Sequence, residues 1–120
     1  MDSLNIIYSY ASCSTCRKAL KWLDENKLDY KLIDIVKNPP SQELIIEAIR
    51  QYGERKSIFN TSGISYRTIG AKVIKAMSED EAIRALSNDG KLIKRPFLIT
   101  KQEKILIGFK IDNWEEALLD

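Results

Sequence analysis

Apolar and polar positions follow two different periods along this chain. Residues 4–8 (LNIIY) form a short β-favouring apolar run and predict a strand. Residues 15–26 place Ala19, Leu20, Trp22 and Leu23 at helical spacing, with lysines and carboxylates on the other face, and predict an amphipathic helix. Residues 30–35 (YKLIDI) return to a strand pattern. Strand, helix and strand within about 30 residues make a βαβ unit, whose strands are parallel and whose crossover is right-handed.

Pro39-Pro40-Ser41 then interrupts the chain and starts a helix with Leu44, Ile45, Ala48, Ile49 and Tyr52 on its apolar side. Gly53 ends it by supplying the positive φ that a helix C-terminus favours. Residues 55–75 read as short helical pieces divided by the turn-like Asn60-Thr61-Ser62-Gly63 and by Gly70. Ser78 and Glu81 have capping-box spacing and open a helix to about residue 88, closed near Gly90. Residues 96–100 (PFLIT) and 105–109 (ILIGF), linked by a polar turn, predict an antiparallel hairpin. Asp112, with Glu115 three residues on, starts a last helix whose inner side carries Trp114, Ala117 and Leu118. The order βαβ, helices, ββα is that of a thioredoxin-like α/β fold, a mixed four-stranded sheet flanked by helices.

Composition narrows the chemistry. The 120 residues carry 19 basic and 17 acidic side chains, a net charge of +2, and 44% are apolar, which suits one domain with one core. Dispersed basic residues give no electrostatic footprint for nucleic acid, and no apolar run is long enough to span a membrane. The first ten residues lack the basic region and apolar stretch of a secretory signal, so a cytoplasmic protein is expected. No histidine occurs, which removes Ser-His and Cys-His catalysis and every His-ligated metal site. Two cysteines cannot close a four-cysteine zinc site, no calcium-loop spacing is present, and both common phosphate-cradling glycine motifs are missing. No resident metal or bound cofactor is expected.

What remains is Cys13-Ser14-Thr15-Cys16, between the first strand and the first helix. In a βαβ context that motif reads as a redox pair. The first turn of a helix presents unpaired N–H groups and the positive end of the macrodipole, which favour a thiolate. Cys13, just ahead of the helix, is the candidate nucleophile. Cys16, one turn on and able to reach back, is the candidate resolving thiol. Arg17 and Lys18 add positive charge nearby. The competing reading is two buried cysteines acting as small apolar side chains. Arg95-Pro96 at the start of the third strand also has two readings. Either Arg95 aims its planar fork at the thiolate or an oxyanion, or it is a solvated arginine beside an ordinary trans proline.

SCSTCRKALKWLDE, the KNPPS turn, Lys94-Arg95-Pro96 and Ile107-Gly108-Phe109, taken in that order, resemble the arsenate reductase (ArsC)/Spx family over about residues 4–119. The resemblance implies a thioredoxin-like core with an inserted helical section at about residues 41–90, and a cis Pro96. It implies Cys13, Cys16 and Arg95 as catalytic residues, and Ser12, Asn60 and Pro96 at the substrate. Glutathione with glutaredoxin, or thioredoxin, is the electron donor it implies. The glutaredoxin-linked reductases hold arsenate with three arginines. Arg95 matches one, while the others fall on Asn60 and near Phe109, so poor arsenate reduction is expected. Arg55, Lys56 and Arg67 are the cations nearest Asn60 along the chain. The Spx branch, which has the same SC-x-x-CRKA context and a further basic tail, binds the C-terminal domain of the RNA polymerase α subunit. A glycine at the end of its second helix matters there, and Gly53 is the counterpart. Small CxxC proteins of thiol-reductase type share Phe59-Asn60-Thr61-x-Gly63 and an aromatic residue at Tyr66, which is where this sequence fits best. The expected function is thiol–disulfide exchange through Cys13 and Cys16, with a redox-sensing regulator as the alternative.

Overall fold

A computed structural model describes residues 4–119. Its order is β1 (Asn5–Ser9), α1 (Ser14–Glu25), β2 (Tyr30–Asp34), α2 (Gln42–Tyr52), α3 (Ile64–Ile69), α4 (Ala71–Ala76), α5 (Glu79–Asn88), β3 (Phe97–Ile99), β4 (Ile105–Ile107) and α6 (Ile111–Leu118). Two short 3-10 turns, Arg55–Ile58 and Gly90–Leu92, complete the path. The chain forms two compact units. One takes the residues up to Asp34 together with those from Arg95 onward, and the other is Ile35–Lys94.

The first unit is a four-stranded sheet in the order β2-β1-β3-β4. β1 runs parallel to β2, as the βαβ reading requires, and antiparallel to β3, which pairs antiparallel with β4. Ile7 lies opposite Leu98, and Leu98 opposite Leu106, so three apolar side chains line one face of the sheet. Ala19 and Leu23 of α1 and Trp114 of α6 pack on that face, all buried. The mixed sheet and its flanking helices follow the pattern of the sequence. The helix start at α6 differs from expectation. It begins at Ile111 behind Lys110, which caps with no side-chain hydrogen bond, and Asp112 falls inside the first turn. The entry is fixed instead by packing. Gly108 turns at φ +75, and the Trp114 indole N–H donates to its carbonyl at 3.1 Å.

The second unit is helical. Ser41 accepts the Leu44 N–H and starts α2, while Gly53, at φ +83, ends it as anticipated. The capping box at α5 is complete: Ser78 bonds the Glu81 N–H, and Glu81 returns to the Ser78 N–H. Arg55 clamps the end of α4, donating to the carbonyls of Met77 at 2.6 Å and Ile74 at 3.2 Å and pairing with Glu79 at 3.1 Å. Gly90 follows α5, which ends at Asn88 as the sequence pattern predicts. It has no positive φ; it opens a 3-10 turn, and it is packed so closely that a Cβ would stand 1.9 Å from the Ile35 carbonyl oxygen.

Candidate functional site

Cys13 is the N-cap of α1. Its φ of −90 and ψ of 114 are extended, and its own sulfur serves as the capping acceptor, 3.2 Å from the Cys16 N–H. A Ser or Asp in that position would satisfy the same orphan donor with oxygen; here a thiol does so. The loop before it is held by the Cys13 N–H donating to the Tyr10 carbonyl at 3.0 Å and by Arg17 donating to the Ala11 carbonyl at 2.7 Å. Arg17 thereby braces the loop. The cation that acts on the Cys13 sulfur is Arg95.

The two thiols occupy unlike surroundings. Cys13 is half-buried, and burial by itself disfavours its charged form. Hydrogen bonds from the Cys16 side chain and backbone, with a further hydrogen bond and the charge of Arg95, together outweigh this, so the Cys13 thiol lies below its ordinary value of 9.0. Cys16 is fully buried, and that burial, its hydrogen bond to Cys13 and the Cys13 charge push it up to about 11. The Tyr10 backbone N–H and the Ser9 hydroxyl oppose part of that rise. Both thiols are free. Of the two readings of Cys13-x-x-Cys16, an inert apolar pair fits the surroundings of Cys16 but not those of Cys13.

Arg95 and Pro96 open β3 in the same unit, and the peptide bond between them is cis. Pro96 is buried and Arg95 half-buried, with the guanidinium carbon 5.4 Å from the centroid of the Tyr10 ring. Ser12 is exposed in the turn before Cys13. The fold thus brings Ser12, Cys13, Cys16, Arg95 and Pro96 into one unit, while Asn60 and Gly53 belong to the other. Asn60 and Lys94 border an open cavity of about 390 Å³ that Lys56 and Ser57 also line. Phe109, where the resemblance places an arginine, is packed edge-on against Trp114 at 4.9 Å and Trp22 at 6.1 Å. The sequence reading passed over Ser9 and Tyr10. A polar residue closing an apolar strand just ahead of a CxxC was the available signal for Ser9, and for Tyr10 there was none beyond adjacency.

Comparison with known proteins identifies the family and its fold. The uncharacterised protein YusI of Bacillus subtilis is 46% identical over 111 residues, spanning 91% of this chain and 93% of the relative. The crystal structure of a possible arsenate reductase from Streptococcus mutans superposes with a TM-score of 0.85 at 43% identity, covering 95% of this chain and 99% of that one. The global transcriptional regulator Spx 2 of Bacillus anthracis is 28% identical over 114 residues, 94% of this chain and 86% of its own. The model of the ArsC family matches residues 8–117. That match runs from within β1 to the last turn of α6 and takes in both units and the thiol pair alike, and the chain belongs to the ArsC family.

Proposed function

We propose that this protein is a cytoplasmic thiol–disulfide oxidoreductase working through Cys13 and Cys16. One observation carries the reading: Cys13 caps α1 with its own sulfur beside Arg95, while its partner one turn on is buried and held protonated. A thiolate is the attacking species in exchange, and its population at neutral pH sets how often attack occurs. Cys13 attacks one sulfur of a substrate disulfide, forms a mixed disulfide and expels the other half as a thiolate, which takes up a proton. Cys16, once deprotonated, attacks the Cys13 sulfur and expels the remaining half. The substrate gains two electrons and the protein is left with a Cys13–Cys16 disulfide. Two molecules of glutathione, or one dithiol carrier such as thioredoxin, return the electrons by the same chemistry in reverse. No bound cofactor is required.

The experiment is reduction of a small mixed disulfide of glutathione, coupled to glutathione reductase. Wild-type protein turns over, Cys13→Ser does not, and Cys16→Ser accumulates a glutathione adduct on Cys13. Turnover unaffected by Cys13→Ser would overturn the reading.

A second reading draws support from the similarity to Spx 2 and from the exposed end of α2, where Gly53 follows the partly exposed Tyr52. In that reading, oxidation of the pair alters contact with the RNA polymerase α subunit. Capture of the purified α C-terminal domain by reduced but not oxidised protein, or the reverse, would favour it.

A further inference from the structure

We propose that Tyr10 is a positioning residue of the thiol site: its ring covers one face of the Arg95 guanidinium and keeps the edge of that planar group on Cys13. The inference rests on the reading of Cys13 as nucleophile and deepens it.

The geometry is local and specific. Arg95 lies 5.4 Å from the Tyr10 centroid, inside the roughly 6 Å over which a cation is attracted to an aromatic face. The arginine is half-buried and its Nε is shielded from solvent, conditions under which a cation over an aromatic ring is held more firmly than at an open surface. A free arginine side chain samples many rotamers, and ordering it costs entropy. A ring against one face of the plane removes much of that freedom in advance and leaves the N–H edge to point elsewhere. Arg95 hydrogen-bonds Cys13.

Tyr10 is also tied to both cysteines through its backbone. Its carbonyl accepts the Cys13 N–H at 3.0 Å, and its N–H donates to the Cys16 sulfur. One residue therefore sets the main chain under both thiols and the direction of the cation. Because β1 ends at Ser9, Tyr10 stands at the first position free of the sheet ladder, where its ring can turn toward the start of β3.

The test is the rate of Cys13 alkylation against pH, resolved by fragment mass spectrometry, in Tyr10→Leu and Tyr10→Phe proteins. Tyr10→Leu keeps much of the bulk and loses the π face. Its alkylation midpoint moves up, and the rate below the midpoint falls about 2- to 5-fold. Tyr10→Phe keeps the face and restores the wild-type profile. In an Arg95→Ala background, Tyr10→Leu adds no further shift, since there is no cation left to hold. A Tyr10→Leu profile equal to wild type, or the same shift with and without Arg95, overturns the inference. Should the leucine variant fail to fold, proton NMR of the wild type decides. Arg95 side-chain protons carry an upfield ring-current displacement if the stack exists, and its absence sinks the proposal. Disulfide turnover separates the two levels. The expected titration without turnover in any variant refutes the oxidoreductase reading alone, whereas turnover with a titration indifferent to Tyr10 refutes this inference alone.

Discussion

Raising the pH separates the two thiols. With Cys16 at about 11, about one molecule in 10⁴ carries its thiolate at pH 7, against about one in 10² for a thiol at the ordinary 9.0. A more basic thiolate is intrinsically more reactive. With a Brønsted slope of about 0.45, two units of basicity return roughly tenfold. Cys16 should then alkylate about tenfold more slowly than an ordinary cysteine at pH 7, before its complete burial slows it further. Between pH 7 and 10 its rate should climb about tenfold per unit, because the thiolate fraction does. Cys13 behaves oppositely: its depressed value puts the plateau of its rate profile at lower pH than for an ordinary thiol. Iodoacetamide pulses from pH 5 to pH 10, with the site read from peptide fragments, give both curves. In Cys13→Ser the charge that raises Cys16 is gone, so the Cys16 curve moves to lower pH while burial still opposes it. Equal labelling of the two cysteines at pH 7, or a Cys16 rate flat from pH 7 to 10, would refute the account of the site.

Gly90→Ala is expected to lower stability even though Gly90 has no positive φ. The new Cβ would sit 1.9 Å from the Ile35 oxygen and 2.6 Å from its carbonyl carbon, so two backbones must part, a cost at or above the upper end of the ~1–3 kcal/mol typical of overpacking. At roughly 4 °C per kcal/mol for a domain of this size the melting point drops by about 10 °C or more, and a shift under about 3 °C would show that the close approach is not tight. Arsenate should be reduced poorly: two charge-assisted contacts of about 1.5–3 kcal/mol each are missing, which costs on the order of 10²–10⁴ in affinity. A glutathione–glutaredoxin assay at millimolar arsenate checks this, and vigorous turnover lost in Cys13→Ser would contradict it.

The periodic stretches were legible because burial dictates them. Ala19 and Leu23 recur one helical turn apart and both reach the core, and Ile7 meets Leu98 across the sheet through simple alternation. Cys13 was legible because a strand-to-helix junction exposes orphan N–H groups whatever the tertiary context. The close packing of Gly90 has no local signature, because it answers to the approach of Ile35, 55 positions away in the chain. Arg55 offered itself as a spare cation near Asn60, yet its guanidinium is taken up by the carbonyls that end α4, a long-range bond with no local signature. The same holds for Tyr10, whose ring finds Arg95 only once β1 and β3 are paired.

The coupling between the thiols bears on the order of events in the proposed cycle. At rest, Cys16 raises no competing nucleophile: burial disfavours its charge, and it is further held protonated by donating to Cys13 and by the Cys13 charge. Forming a mixed disulfide neutralises Cys13, so the charge that raised Cys16 disappears and the hydrogen bond from Cys16 loses its anionic acceptor. The Tyr10 N–H and the Ser9 hydroxyl remain in place to receive a negative sulfur. Cys16 thus becomes easier to ionise once Cys13 is engaged one turn away. The contact that favours the Cys13 thiolate is the one whose loss makes Cys16 easier to ionise. In this arrangement the charge on one sulfur shifts the acidity of the other, which orders the two attacks of the proposed cycle.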